Sequence, residues 1–156
     1  LNAVQTQTYG PEARGGSTRS DLIISTEPIR YPKVTNPHVL VCLTQEAYNK
    51  FSPIVRPGGL LIADTSFVST VRKADARQIV LPMYETVKKE IANTVVFNVC
   101  MIGCIVALTG IVRQESIVKA LTARMSPSHL HINLKALDLG IEMVKTRNSI
   151  NSARNA

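Results

Sequence analysis

The chain has 156 residues, of which 45% are hydrophobic and 19% charged, and 18 Lys and Arg against 11 Asp and Glu give a formal net charge of +7. This length and apolar content suit one domain with a buried core. The sequence has no Trp and only 4% aromatic residues, so it supplies few platforms on which single-stranded nucleic acid could stack. Its basic residues are scattered, as on a solvated surface, and we expect no nucleic acid partner.

The first half of the chain is predicted to alternate short strands with turns and one helix. Residues 6–19 read TQTYGPEARGGSTR, which has too many Gly and Pro residues for a strand and too much charge for a buried loop. Thr44 is a good N-cap for the helix that follows it. The predicted elements are strands at residues 21–26, 39–43, 60–64 and 78–81 and a helix at residues 45–51.

The apolar strands predict the layout of the sheet. Continuous apolar runs separated by a helix are typical of a parallel sheet that is covered on both faces. From Pro82 onward the pattern becomes helical, with helices predicted at residues 83–92, 114–125 and 129–145 around a long apolar stretch. We therefore expect a three-layer α/β/α domain over residues 1–145, with a mostly parallel sheet and a helical C-terminal half. Residues 146–156 are predicted to be a frayed, polar and basic tail.

One segment raises the alternative of a membrane span. Residues 91–112, IANTVVFNVCMIGCIVALTGIV, carry no charge and are long enough to cross a bilayer as a helix. Asn93, Thr94 and Asn98 lie within the segment, and the chain has neither a second span nor an anchoring Trp. A central helix buried on all sides, partly by another chain, fits better. We therefore expect no membrane association, and we expect the isolated chain to aggregate or oligomerise through this helix.

The three cysteines indicate the compartment and exclude one class of cofactor. Cys42, Cys100 and Cys104 form no CxxC pair, and no secretory signal precedes them, so a reduced, cytoplasmic chain is expected. Cys100 and Cys104 would share one helix face, but no histidine lies between them, and they are predicted to be small core residues. The chain alone cannot ligate an iron-sulfur cluster, and no metal site is predicted.

Candidate catalytic residues are few. Asp64 ends a predicted parallel strand, where open α/β sheets bind ligands, although a carboxylate at that place more often caps the next turn. His129 and His131 are two residues apart and cannot share a helix face, so surface or capping roles are expected, and Ser126, Pro127 and Ser128 before them are typical of a helix N-terminus. No catalytic residue is therefore predicted in this chain.

A weak similarity suggests one enzyme class. Residues 55–64, VRPGGLLIAD, resemble the Pro-Gly-Gly strand of S-adenosylmethionine-dependent methyltransferases. Such enzymes also need a glycine-rich loop after their first strand, and none lies upstream of Val39. The sequence also contains neither GxGxxG nor GxxxxGK[ST]. A methyltransferase-like enzyme is kept as an alternative, together with a non-catalytic assembly subunit of a membrane complex.

A second resemblance covers nearly the whole chain. Residues 6–16 followed by residues 20–25 resemble the gamma subunit, or gamma domain, of the 2-oxoacid:ferredoxin oxidoreductases, in particular the 2-oxoglutarate type. Further matches follow in the same order: residues 31–34 (YPKV), 43–48 (LTQEAY), 57–62 (PGGLLI), 98–103, 108–110 (LTG) and 133–137 (NLKAL). Members of this family open with a strand and a glycine-rich turn into a helix, and the sequence from Leu1 contains no such unit.

The resemblance implies a function shared among several chains. The family catalyses oxidative decarboxylation of a 2-oxoacid with coenzyme A and passes the electrons through iron-sulfur clusters to ferredoxin. Thiamine diphosphate and the clusters would be held by partner subunits, namely alpha, beta and in some complexes delta. This chain would then be an oxidoreductase subunit, inactive by itself, that contributes to assembly and to coenzyme A binding.

The resemblance also implies site residues. Arg14, Gly15, Gly16 and Asn98 are the expected contacts to coenzyme A. In related coenzyme A loops, lysines precede a Ser-Gly-Gly motif, whereas Glu12 and Ala13 occupy those places in this sequence. Two partners therefore compete for Arg14, and a carboxylate, of Glu12 or of a partner subunit, is favoured over the phosphates of coenzyme A.

Overall fold

The computed structural model of the chain describes residues 1–8, 18–70 and 75–154. They belong to two compact units, of which the first comprises Leu1–Leu61 and Val68–Ile79 and the second comprises Ile62–Phe67 and Val80–Ala156. The strands are β1 (Asn2–Thr8), β2 (Arg19–Ser25), β3 (Val39–Cys42), β4 (Gly59–Asp64) and β5 (Ala76–Leu81). The helices are α1 (Gln45–Phe51), α2 (Met83–Ile91), α3 (Phe97–Thr109), α4 (Gln114–Arg124) and α5 (Pro127–Arg154), with short 3₁₀ helices at Ser52–Ile54 and Thr94–Val96.

The predicted parallel sheet is confirmed, with strand order β3-β4-β5. The amide of Gly58, just before β4, donates to the carbonyl of Asp75, just before β5, at 2.9 Å. The amide of Thr65, just after β4, donates to the carbonyl of Leu81, the last residue of β5, at 3.1 Å. The start of β4 therefore lies beside the start of β5, and the end of β4 beside the end of β5, which is the arrangement of parallel strands. With the helical C-terminal half, this confirms the predicted α/β fold class.

The N-terminal residues form a hairpin that the sequence did not predict. Strand β1 pairs antiparallel with β2, from Asn2 opposite Ser25 to Thr8 opposite Arg19. The expectation that residues 6–19 do not form a strand was therefore wrong at residues 6–8 and at Arg19, while residues 9–17 lie outside the described residues. The Arg19 guanidinium donates to the Asp21 carboxylate, with Nε 2.6 Å from Oδ1, and it also contacts the Val34 carbonyl. These bonds tie the hairpin to the chain that follows it.

Helix α1 begins where the sequence predicts it. Thr44 Oγ1 accepts a hydrogen bond from the amide of Ala47 at 3.1 Å, which confirms its role as the N-cap. Tyr48 is completely buried, and its hydroxyl donates to Gln78 Oε1 at 2.9 Å. The helix is therefore fixed by a cap at its start and by a satisfied polar contact from its buried face.

The uncharged segment at residues 91–112 is divided, so the prediction of one long helix was wrong. Helix α2 ends at Ile91, and Ala92 adopts a left-handed conformation with φ of 56°, which stops the helix. The chain then turns through the 3₁₀ helix before α3 begins at Phe97. Of the helices in the described ranges, none combines the length and the apolar character that crossing a bilayer requires.

Helices α3 and α5 cross in direct backbone contact, and this crossing forms the centre of the second unit. A Cβ atom built on Gly140 would overlap the carbonyl oxygen of Cys100, and one built on Gly103 would overlap the carbonyl oxygen of Leu137. The Cys104 thiol donates to the Gly140 carbonyl across the same contact at 3.3 Å. Part of the apolar surface of α3 is thus buried by the chain's own last helix.

The last helix is longer than predicted. Helix α5 runs from Pro127 to Arg154, so the frayed tail expected from residue 146 was wrong within the described residues. It begins at Pro127, before the predicted start at residue 129 but within the stretch Ser126–Ser128 that was predicted as a helix N-terminus. The Ser126 carbonyl accepts from the amides of His129 and Leu130 at 3.0 Å. No Gly or Pro follows Gly140, and Val144 is still buried at 1% exposure, so nothing in the sequence stops a helix that packing has already formed. The expected domain boundary at residue 145 stays a prediction.

Candidate functional site

Asp64 ends strand β4 with a completely buried carboxylate. Its Oδ1 accepts from the amide of Ser66 and its Oδ2 accepts from the amide of Tyr84, both at 2.8 Å. One side chain therefore caps the turn after β4 and the first turn of α2. The capping role that the sequence suggested for Asp64 is confirmed, and both carboxylate oxygens are occupied by backbone amides.

Three aromatic rings gather at this carboxyl end of the sheet. Phe67, Tyr84 and Phe97 meet edge to face, with centroid distances of 5.0 Å for Phe67–Tyr84, 5.8 Å for Tyr84–Phe97 and 6.2 Å for Phe67–Phe97. Phe67 is 40% exposed, so the cluster presents an aromatic surface outward. The sequence contains only three Phe residues, and two of them lie in this cluster. Sequence reasoning missed the cluster, because its members are far apart along the chain.

Asn98, a predicted coenzyme A contact, lies beside the aromatic cluster. It is the second residue of α3 and is exposed, and its Oδ1 accepts from the Val99 amide at 2.9 Å. The expectation that Asn98 lies in mid-helix, with a buried amide in need of a partner, was wrong, because α3 begins later than predicted. An exposed amide in the first turn of a helix can instead bind a ligand. When no ligand is bound, water satisfies the amide, so the folded chain loses little stability.

The other predicted contacts, Arg14, Gly15 and Gly16, lie outside the described residues. Their contact with coenzyme A stays a prediction.

The cysteine thiols of this chain are buried and free. Burial raises the pKa of Cys42 from 9.0 to about 11. A hydrogen bond with Cys100, followed by burial, raises the pKa of Cys104. Raised pKa values keep Cys42 and Cys104 protonated, and protonated thiols are poor metal ligands and poor nucleophiles. The same hydrogen bond with Cys104 lowers the pKa of Cys100. Within residues 1–8, 18–70 and 75–154, no group of three or more His, Cys, Asp or Glu side chains could hold a metal ion.

The C-terminal histidines lie at the start of α5. His129 Nδ1 lies 2.9 Å from Ser126 Oγ, and both His129 and His131 are exposed. This arrangement agrees with the surface and capping roles that the sequence predicted for them.

Comparison with known proteins places these features in a family. Residues 1–143 match the family described as pyruvate ferredoxin/flavodoxin oxidoreductase. The chain is 41% identical over 145 residues to the 2-oxoglutarate synthase subunit KorC of Methanocaldococcus jannaschii, covering 92% of this chain and 78% of that protein. It is 34% identical over 141 residues to the ketoisovalerate oxidoreductase subunit VorA of Methanothermobacter marburgensis, covering 88% of this chain but 29% of that protein.

Solved structures show the same fold. The gamma subunit of a keto/oxoacid ferredoxin oxidoreductase from Geobacter sulfurreducens superposes with a TM-score of 0.79 at 34% identity, over 92% of this chain and 80% of that one. A 2-oxoglutarate:ferredoxin oxidoreductase from Magnetococcus marinus, with 2-oxoglutarate, coenzyme A and succinyl-CoA bound, gives a TM-score of 0.80. That match covers 92% of this chain and 26% of that one at 21% identity, so it supports the fold alone.

Together the parallel sheet, the helical C-terminal half and these likenesses define a class of protein, the gamma-type subunits of 2-oxoacid:ferredoxin oxidoreductases. The chain belongs to the pyruvate ferredoxin/flavodoxin oxidoreductase family. It is thus one subunit of an oxidoreductase complex, and the methyltransferase-like and membrane-complex alternatives are not favoured.

Proposed function

We propose that this chain is the gamma subunit of a 2-oxoglutarate:ferredoxin oxidoreductase. The complex would convert 2-oxoglutarate, coenzyme A and two oxidised ferredoxins into succinyl-CoA, CO₂, a proton and two reduced ferredoxins. The observation that carries the proposal is the 41% identity to a 2-oxoglutarate synthase subunit, over 78% of that subunit's length. The sequence identity to the ketoisovalerate oxidoreductase subunit is lower, at 34%, and the matched region is 29% of that subunit.

We assign the decarboxylation and the electron transfer to other chains of a cytoplasmic complex. Alpha and beta subunits, and in some complexes a delta subunit, would hold thiamine diphosphate and the iron-sulfur clusters. The burial of Cys42, Cys100 and Cys104 supports this division, since each thiol is completely buried and not offered as a ligand. Thiamine diphosphate would supply the decarboxylation chemistry when bound to a partner. The role left for this chain is assembly and the positioning of coenzyme A.

The exposed start of α3 is where we propose that coenzyme A approaches. Asn98 offers an amide in the first turn of this helix, next to Phe97 of the aromatic cluster. An amide suits the amide groups of the pantetheine arm, and the positive end of a helix favours nearby phosphate. Arg14, Gly15 and Gly16 would contribute from the loop, with Arg14 assigned to a carboxylate of Glu12 or of a partner subunit.

The substrate assignment is tested with the whole complex. Partner subunits are captured through a tag on this chain, and coenzyme A-dependent ferredoxin reduction is measured with 2-oxoglutarate, pyruvate and 2-oxoisovalerate. We expect kcat/KM for 2-oxoglutarate to be at least about tenfold higher than for the other two, which is about 1.4 kcal/mol of discrimination. A preference for 2-oxoisovalerate would move the chain to the ketoisovalerate type. Failure to capture any partner would remove the assignment as a subunit.

The role of Arg14 is tested separately. Arg14→Ala should weaken association with the partners, whereas the coenzyme A affinity of each assembled complex changes little. Arg30→Ala, which removes an exposed arginine in the first unit, is the matched control. If Arg14→Ala assembles normally but loses about tenfold in coenzyme A affinity, the loop is a clamp for coenzyme A and its assignment to a carboxylate is wrong.

A further inference from the structure

The second unit carries an apolar groove whose lining does not include Asp64, Asn98 or the aromatic cluster. The groove has a volume of about 540 Å³ and lies between the end of β5, the start of α2 and the C-terminal half of α5. Its apolar walls are formed by Val80, Leu81, Leu139, Met143 and Ile150. Ile150 remains 49% exposed, so a large aliphatic side chain faces solvent at the groove. A groove of this volume is large enough to receive side chains of another molecule.

One charged group on the groove indicates the chemistry of its occupant. Arg147 lines the groove and is half-buried, and no ion pair or hydrogen bond engages its guanidinium within the part of the chain that the structure describes. Glu142, the acidic residue of the same groove, already pairs with Lys145 at 2.7 Å. A guanidinium on an apolar wall is best neutralised by a carboxylate, which it can bind through two parallel hydrogen bonds.

The composition of the groove favours a protein occupant. Met and Arg are enriched at protein interfaces, and the flexible Met143 side chain can adapt to an apolar partner. The matched region makes up 29% of the ketoisovalerate oxidoreductase subunit, so in that relative further polypeptide of the same enzyme continues from this domain.

We propose that the groove receives an amphipathic helix from a partner subunit of the complex. The helix would place aliphatic side chains against Met143 and Ile150 and an Asp or Glu against Arg147. This inference rests on the proposed function, since it takes the partner from the same oxidoreductase. The apolar contacts would supply affinity, and the carboxylate would fix the register of the helix.

Paired variants in the assembled complex test the groove. Ile150→Glu and Arg147→Glu should each weaken association with the partners at least about tenfold, measured as the dissociation constant between this chain and the other subunits. Ile111→Glu is the matched control for the first variant, since Ile111 is 52% exposed and lies outside the groove. Lys119→Glu, an exposed charge reversal on α4, is the control for the second. Normal assembly by both groove variants would overturn the proposal.

Cross-linking identifies the occupant. A benzoylphenylalanine at position 150 of the full complex should cross-link to an apolar helical segment of another subunit that carries an Asp or Glu, whereas the same probe at position 111 should not. Cross-linking to a second copy of this chain, or no cross-link in a complex that has assembled, would contradict the proposal. The substrate panel remains independent. If the complex cross-links as expected but prefers 2-oxoisovalerate, the groove proposal stands and the substrate assignment is wrong. If it prefers 2-oxoglutarate but does not cross-link, the substrate assignment stands and the groove proposal is wrong.

Discussion

The two units pair distant segments of the chain in different ways. In the first unit strands β1 and β2 are held together by backbone pairing, and Leu22 on the surface of the hairpin is 58% exposed. In the second unit α3 and α5 touch backbone to backbone at Gly103 and Gly140. The hairpin has room for larger side chains on its exposed face, whereas the crossing has no room for one more carbon atom. Sensitivity to mutation should therefore concentrate in the second unit.

The largest effect is expected at the helix crossing. Gly140→Ala introduces a Cβ atom that overlaps the Cys100 carbonyl oxygen, so the helices must move apart, and we expect the free energy of unfolding to fall by about 3 kcal/mol. Gly110→Ala is the control, since Gly110 has a φ of +61° but open space around it, and the left-handed conformation alone should cost about 1 to 2 kcal/mol. Urea unfolding of both variants makes the comparison. Equal losses would show that α3 and α5 are not in such close contact.

Asp64 should rank second. Asp64→Asn keeps the volume but replaces one acceptor oxygen by an NH₂ group, which must then face a backbone amide that donates as well. We expect a loss of about 2 kcal/mol in the free energy of unfolding. Asp138→Asn is the comparison, because Asp138 is exposed and accepts from Gln114, and it should change stability by less than about 0.5 kcal/mol. If Asp64→Asn left the free energy of unfolding unchanged, the two hydrogen bonds of Asp64 would not be what holds the end of β4 in place.

Asn98 should affect binding rather than stability. Because the side chain is exposed, Asn98→Leu should change the free energy of unfolding by less than about 0.5 kcal/mol. The coenzyme A KM of the complex should rise about fivefold, as expected for the loss of one hydrogen bond of about 1 kcal/mol. Asn148→Leu replaces an exposed asparagine on α5 and should leave KM unchanged. An unchanged KM for Asn98→Leu would separate the start of α3 from the coenzyme A site.

The smallest effect at neutral pH is expected at Cys42 in the first unit. Its pKa in the folded chain, about 11, lies above its ordinary value of 9.0, so folding favours the protonated thiol. The stabilisation is therefore complete below pH 9 and is lost as the pH rises from 9 to 11. Unfolding measured across this range should show a decline that Cys42→Ala makes smaller, while Cys104, whose pKa is also raised, contributes the rest. A decline of the same size in Cys42→Ala would assign it to other groups.

The sequence predicted the elements whose signals are local. Strand β4 and helix α1 carry an apolar run or a cap in their own residues, and both lie within one residue of their predicted bounds. Strand β1 was missed because its alternating Gln and Thr residues become a strand only by pairing with β2. The end of α2 was predicted to within one residue, but the start of α3 at Phe97 was missed, because residues 91–102 contain no charge, Gly or Pro that would mark a break.

The candidate site was predictable to a smaller extent. The position of Asp64 at the end of a parallel strand follows from the strand pattern, and so does its capping role. The aromatic cluster joins residues from three separate segments, and only tertiary packing brings Phe67 to Phe97. The surroundings of Asn98 depend on where α3 begins, and element boundaries are the part of a sequence-based prediction that local signals determine least.

The central claim is that this chain works as the gamma subunit of a coenzyme A-dependent 2-oxoacid:ferredoxin oxidoreductase. The most direct measurement is the rate of ferredoxin reduction, with 2-oxoglutarate and coenzyme A, by the partner subunits reconstituted with and without this chain. The account predicts that the coenzyme A-dependent rate is lost when the chain is omitted and returns when it is added back in stoichiometric amount. An equal rate without the chain would contradict the claim.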